Sequence, residues 1–474
     1  LADDALSLAA TFPAPDRQAW LSLVEKTLGG AGPETLTTQT RDGLTIEALY
    51  REGPASPVRP AGEDSERPWD IRTRIAHPDP ARANSDLLAD LEGGCASGLI
   101  AIDPSGRQGV AVASAADLAR VLEGVVLDLA PVALDAGLYG PLAADWLSTL
   151  AKGAPAAPLA FHLDPLSAFA QTGSSPGPVE AHIAAAAQTA TRLSLTYPKA
   201  SLFLASGCVV HEAGGSEAQE LAFALSAGLT YAKAADAAGA SDPYAGIVLG
   251  LSAGSEYFVT LSKMRAARLL WAKVAGKQAI IEARTSGRML SRMDAWTNML
   301  RLTAAGFGAA TGGADAIALG CFTDAMGQPT AFARRQMRNC QLVLMEESHL
   351  GRVADPAGGA WFIEDLTDQL ARAAWKRFQA IEAVGGAAQA LKSGLIARDV
   401  ETAAAAEAEA ITAKARHILG VTRFPDADPA PIEVEAPDPA LFAKTAPDVG
   451  QPGADDQCPA LAPVRLAAAF EAAQ

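Results

Sequence analysis

The sequence predicts an α/β fold built on a parallel sheet, and three observations predict it. Residues 69–350 alternate short apolar runs with Ala-rich amphipathic stretches of helix length. The short runs show little polar alternation, as expected of strands covered on both faces. The connections are long enough to hold the crossover helices that parallel pairing requires. At least six such units suit either a (β/α)8 barrel or a doubly wound sheet, and periodicity does not choose between them.

The elements follow in chain order. Trp20–Leu28 is a short amphipathic segment, Gly43–Tyr50 is a turn-flanked apolar run, and 53–68 is rich in Pro and Gly. The strand candidates are Gly98–Asp103, Val125–Leu129, Leu159–Leu163, Ser201–Ser206, Ala279–Ala283 and Asp315–Leu319. The helix candidates between them are 178–194, 216–227, 255–274 and 291–310. Leu366–Ala383 has apolar residues at helical spacing and is ended by Gly385 and Gly386, and Val400–Ile418 is Ala/Glu-rich with good helix propensity. Residues 424–474 carry nine prolines, nine acids and two bases, a net of −7, which describes an extended linker or wrapping arm. Its last run, Ala460–Ala473, is mildly amphipathic again.

Composition removes several classes. With 49% hydrophobic and 19% charged residues in a chain of 474, core material is ample and wholesale disorder is excluded. No apolar run reaches the about 18 residues of a membrane span. A net charge of −16 argues against a nucleic-acid binder, which needs clustered Lys and Arg. The five cysteines, at 95, 208, 321, 340 and 458, are too scattered for a CxxC motif or a zinc knuckle and suit a reducing compartment. No charged-then-apolar leader opens the sequence, so no signal peptide is expected.

Individual motifs are weak. Gly173-Ser-Ser-Pro-Gly177 and Gly250-Leu-Ser-Ala-Gly254 match the G-x-S-x-G of a nucleophile elbow, but 42 glycines make chance matches cheap. Gly306-Phe-Gly308 imitates a dinucleotide fingerprint without its third glycine and reads as a turn before a strand. No two of the six histidines sit at i,i+3 or i,i+4. Cys208 and His211 are therefore read as a loop with a satisfied His, not as half of a zinc site. The cations of Lys263–Lys273 read as a solvated or interface face, with a phosphate-binding helix as the alternative. Arg67, Arg72 and Arg74, placed just before the first strand, suit a phosphate or carboxylate, or salt bridges within the fold.

Taken together, however, the segments resemble a known family. Arg67-Pro-Trp69 with Ile71-Arg72, Gly98–Asp103, Ser206-Gly207 with Glu212-Ala-Gly214, the helix Lys263–Lys273, Arg284-Thr-Ser-Gly287, Arg338-Asn339 with Gln341 and Glu346–Ser348, and Asp355-Pro356 occur in the order of the adenosylcobalamin-dependent methylmalonyl-CoA mutases. The resemblance covers roughly residues 15–420. It implies a (β/α)8 TIM barrel of the acyl-CoA-binding type, with the segments 1–66 as a partner-contacting extension, 67–359 as the barrel, 360–423 as a helical linker and 424–474 as the acidic arm. No flavodoxin-like cobalamin domain is expected in this chain.

The departures from the family pattern carry the functional expectation. In catalytic members a Tyr that abuts the substrate stands where this sequence has Arg74. Their Ser-Gly-Tyr-His segment corresponds to Ser206-Gly207-Cys208-Val209, so the Tyr is Cys208 and the His that contacts the thioester is Val209. A Gln of a Gln-Asn-Asp segment is His162. The Arg that grips the substrate carboxylate falls at Val248, and a second substrate Arg falls at Thr172. Val cannot donate to a thioester oxygen, and a carboxylate without its Arg loses a charge-assisted fork. The D-x-H-x-x-G loop that supplies the lower cobalt ligand is absent from the sequence. The resemblance therefore implies a small (β) subunit that is itself non-catalytic, binds no cofactor or metal, and forms a heterodimer with a catalytic α subunit carrying adenosylcobalamin in a bacterial cytoplasm. Two alternatives remain at this point: an active mutase of altered specificity, and an acyl-CoA-sensing or assembly subunit whose vestigial contacts would be Arg67, Arg72, Arg74 and His162.

Overall fold

A computed structural model describes residues 16–50, 67–436 and 456–472. Most of the Pro/Gly-rich stretch 53–68 and part of the acidic arm lie outside the described residues. Eight parallel strands close into a barrel: β1 (Asp70–Ile75), β2 (Ser97–Ala101), β3 (Val132–Asp135), β4 (Ala160–Leu163), β5 (Ser201–Ser206), β6 (Ile247–Ala253), β7 (Ile280–Thr285) and β8 (Ala316–Ala318). They pair in chain order, and β8 returns to β1. The barrel, left open by periodicity and implied by the resemblance, is the architecture.

Each strand divides its side chains between two environments, as the pleat requires. Ile71, Ile75, Ile100, Leu134, Phe161, Phe203, Leu249 and Ile281 face outward into the main core under the helices. Leu99, Ala133, Ala160 and Ala318 form a separate small cluster inside the barrel. The small residues there leave room for the long polar side chains described below.

Several expected elements shift. Val125–Leu129 is a turn, and the third strand begins at Val132. Asp128 interrupts the apolar run, and Val126 and Leu129 are left exposed. Arg72 and Arg74 do not precede the first strand; they lie on it. Gly250-Leu-Ser252 belongs to β6, so this match to a nucleophile elbow is the end of a barrel strand. Gly306 and Gly308 are not a turn but lie within the helix Asn298–Thr311. A Cβ at Gly308 would come within 3.1 Å of Thr260 and of the Tyr257 carbonyl, so glycine allows two helices to touch.

The clearest correction concerns the helix Tyr257–Ala275. Lys273 is exposed over the Trp375 ring, but the other three cations are neither solvated nor free for a phosphate. Lys263 pairs with Glu220 at 2.5 Å, Arg265 with Asp355 and Glu364, and Arg268 with Asp315 at 2.9 Å and with backbone carbonyls. All three are buried. Each ties this helix to a different neighbour: the helix Glu217–Ala237, the segment leading into the helix Trp361–Ala383, and the residue before β8. Buried charges of this sort are tolerated only when paired.

The chain ends fold back on the C-terminal end of the barrel, where the strand-to-helix loops gather. Arg41 donates to the Gly214 and Gly215 carbonyls, and Asp42 accepts from Ser216 and from the Ala218 amide at the start of the helix Glu217–Ala237. Residues 456–472 then run as a strap around the rim. Cys458 and Leu461 donate from their amides to Gly173 and Ala170 after β4, Val464 to Glu212 after β5, and Leu466 to Arg288 after β7.

Candidate functional site

In a (β/α)8 barrel, chemistry sits at the C-terminal ends of the strands. Here the axis leading to that end is filled by ion pairs. Arg72 of β1 holds Asp70 at 2.6 Å and donates to Glu282 of β7. Glu282 also accepts from the Arg284 Nε at 2.7 Å, and Arg284 reaches across the barrel to Asp135 of β3 at 2.8 Å. Ser97 donates to Asp70 and accepts from Arg72. Two arginines and three carboxylates therefore cross-link β1, β2, β3 and β7 from within. Burial alone would raise the pKa of Glu282, but Arg284, His162 and Arg72 outweigh it and hold the carboxyl far below its usual range.

His162 enters this lattice because β4 is irregular. The register slips between Ala160 and Leu163, and His162 takes a left-handed conformation with φ of +46°. Its Nδ1 stands 3.9 Å from Glu282, too far for a hydrogen bond, and is without a hydrogen-bond partner. Burial drives its pKa down to about 4, so the ring is neutral at pH 7. Val248 lies on β6 and is buried, with Leu204 and Ile280 as its register partners.

Cys208 and Val209 open the short helix Cys208–Glu212 at the mouth, and both are half-buried. The Cys208 amide donates to the Ser206 Oγ at 3.2 Å. Burial and then the Glu220 carboxylate push its thiol up to about 12, so it is not a thiolate nucleophile at neutral pH. His211, in the same helix, is the satisfied histidine expected from the sequence. Its Nε2 is 2.8 Å from the Ser286 hydroxyl and its Nδ1 3.2 Å from Glu220. Beneath it, Glu220 is lowered to about 2, because Lys263 and His211 overcome the effect of burial.

The remaining predicted residues do not converge. Arg67 and Arg74 are exposed, and the best contact of Arg74 is a 3.4 Å approach to the Gln108 carbonyl. Thr172 is exposed at the end of the helix Pro165–Thr172 and bonds to Ala168 and Ser174 carbonyls. Of the four vestigial contacts, Arg72 and His162 face Glu282 inside the barrel, Arg74 is exposed on the same face of β1 nearer the mouth, and Arg67 precedes the strand. Sequence reasoning missed Glu282, Arg284 and Asp135. The available signal was Glu282-x-Arg284 and Asp70-x-Arg72, charges at i,i+2 on one face of otherwise apolar strands.

The family model described as methylmalonyl-CoA mutase matches residues 64–451. The chain belongs to the methylmalonyl-CoA mutase family. A methylmalonyl-CoA mutase small subunit of Streptomyces virginiae is 39% identical over 473 residues, covering 93% of this chain and 75% of the relative. A probable methylmalonyl-CoA mutase small subunit of Mycobacterium tuberculosis is 38% identical, covering 84% and 68%. A methylmalonyl-CoA mutase small subunit of Propionibacterium freudenreichii subsp. shermanii is 31% identical, covering 93% and 73%. The mutase-family motifs on the helix Tyr257–Ala275 are thus structural ion pairs, and the departures at His162, Cys208, Val209 and Val248 line the axis and mouth.

Three of the barrel histidines are not free to ligate a cobalt. His211 has both ring nitrogens engaged, His162 is sealed in the axis, and His182 bonds the Pro176 carbonyl at 2.6 Å. Among the described residues no group of three His, Cys, Asp or Glu could hold a metal ion, and no helix is long and apolar enough to cross a membrane.

Proposed function

We propose that this chain is the non-catalytic small subunit of a heterodimeric, adenosylcobalamin-dependent methylmalonyl-CoA mutase. Its partner in this reading is a catalytic large subunit, which carries the cofactor and interconverts methylmalonyl-CoA and succinyl-CoA in a bacterial cytoplasm. The small-subunit names of its relatives support the pairing. The observation that carries the non-catalytic assignment is Val209, half-buried at the barrel mouth where the resemblance expects a donor to the thioester. A radical rearrangement needs a fixed, water-free substrate at the strand ends. Here the axis is occupied by protein charge, the position expected to donate to the thioester is Val209, and the position expected to grip the carboxylate is Val248. Reduced polarity at these two places removes the transition-state contacts while leaving the scaffold intact.

The test is purification of the chain alone and with its partner. Alone, with adenosylcobalamin and methylmalonyl-CoA supplied, it is expected to show neither bound corrin absorbance nor turnover. Co-expressed, it is expected to elute with a larger mutase chain at one-to-one stoichiometry. Corrin retention or succinyl-CoA formation by the isolated chain overturns the assignment.

A further inference from the structure

A second concavity lies away from the barrel axis, outside the strand layer. The helices Glu217–Ala237, Trp361–Ala383 and Leu395–Thr412 diverge there and leave a cavity of about 290 Å³. Residues 373, 376, 377, 380 and 381 line it from one helix, a spacing that puts them on one face. The walls are mostly apolar, with Val210, Ala222, Ile381 and Ile396 among them. Val210 brings the cavity against the back of the short helix Cys208–Glu212.

Two cations break the apolar lining, and both come from the same wall. Lys376 is exposed and makes no hydrogen bond or ion pair among the described residues. Arg377 faces Asp42 with its Nη2 at 3.6 Å, while its buried Nε is without a hydrogen-bond partner. On the other side Asp399 lines the rim and Gln219 is engaged with the Asp399 carbonyl. The Asp399 carboxylate repels an anion from that side, which leaves the Lys376–Arg377 wall as the place for a negative head group.

We propose that this cavity binds a small amphipathic carboxylate: an apolar tail against Val210, Ala222, Ile381 and Ile396, and a carboxylate at Lys376 and the exposed end of the Arg377 guanidinium. The cavity is open on one side, so its about 290 Å³ suits a short chain of roughly ten non-hydrogen atoms without enclosing it. An eight-carbon straight-chain acid has that many. A ligand with an apolar body and one or two fixed polar anchors is the ordinary occupant of such a concavity. The site is separate from the barrel axis and stands or falls independently of the proposed subunit role.

Octanoate is the probe, and octylamine and octanol are the controls of matching tail. They are titrated into the full chain, in the complex with its partner if it purifies that way, with calorimetry and thermal midpoint as readouts. Octanoate is expected to bind and raise the midpoint, octanol to bind more weakly, and octylamine not to bind. Lys376→Glu, an exposed change that leaves the fold alone, is expected to weaken octanoate roughly tenfold or more, the usual size of a lost charge-assisted bond. Ala373→Trp, which fills the cavity from the half-exposed helix face, is expected to abolish binding, with an unchanged circular dichroism spectrum showing that the variant is folded. No heat with octanoate, equal binding of octylamine, or unchanged affinity in K376E each overturns the proposal.

Discussion

Glu282→Leu tests whether the barrel axis is closed by its charges. The carboxylate is almost fully buried and holds two guanidinium groups, those of Arg72 and Arg284. Removing one partner of a buried pair costs about 3–5 kcal/mol, because the other charge is stranded. Arg72 retains Asp70 and Arg284 retains Asp135, so the lower end, about 3 kcal/mol, is expected. Unfolding entropy near 2.1 cal/mol/K per residue gives roughly 1 kcal/mol/K for a chain of this length, so the melting point should fall by about 3 °C. The decisive comparison is the cycle with Arg72→Met. If the two side chains act through each other, the double variant loses less than the sum of the single losses, by about 1–3 kcal/mol. Urea unfolding followed by circular dichroism supplies the four free energies. A Glu282→Leu chain within 1 °C of the parent, or a strictly additive cycle, would refute the idea that these charges form one buried lattice.

His162 adds a pH signature. Its folded pKa of about 4 lies below the about 6.5 of a free imidazole, so the unfolded chain takes the proton first. Its stabilising effect is complete above pH 6.5 and drains as pH falls toward 4, by about 3 kcal/mol over that window. His162→Gln should therefore show a shallower loss of urea midpoint between pH 6.5 and 4 than the parent, and an identical slope would count against a neutral buried ring. Arg265→Met strands Asp355 and Glu364 and is expected to lower stability by about 3 kcal/mol or more. Limited proteolysis should then cut first between 349 and 360, and unchanged protection there would show that the pairs do not hold that segment. Leu461→Asp puts a charge at a buried position of the strap. Faster amide exchange at Leu461, Val464 and Leu466 is the expected result, with the barrel strands unchanged; slow exchange would show that the strap is held by its backbone bonds alone.

The fold was legible where local pattern and tertiary environment agree. Ser201–Ser206 is an apolar run buried on both faces, and its predicted bounds are those observed. The third strand was misplaced because Val125–Leu129 is the more apolar run, yet only Val132–Asp135 finds a neighbour on each side. β1 and β6 were missed for opposite reasons. Asp-Ile-Arg-Thr-Arg-Ile looks like a surface stretch, and Ile247–Ala253 is broken by Gly250 and Ser252. Both become strands because their inward residues serve the axis. A Cβ at Gly250 would come within 2.9 Å of the Ser206 Oγ, so the glycine is required by that close approach. The site was legible only as a list of departures. Which charges replace the missing groups depends on register across the barrel, as with Arg284 of β7 meeting Asp135 of β3, and linear spacing does not carry that information.

The family motifs and the departing positions sit in different surroundings. The most specific motif, Lys263–Lys273, presents Lys263, Arg265 and Arg268 to acids on three different neighbours. Those pairs hold helices to one another, and Glu220, the partner of Lys263, also lies beside His211 and Cys208 at the mouth. Loss of any one strands a buried charge. Of the departing positions, His162 lies in the axis and Cys208 and Val209 at the mouth, whereas Val248 sits near the N-terminal end of β6, level with the first residue of β7. Arg72, Glu282, Arg284 and Asp135 cross-link the barrel strands from within. Scaffold and chemistry are therefore separable in this fold. A match to the helix motif reports the first, and only the identity of the axis residues reports the second.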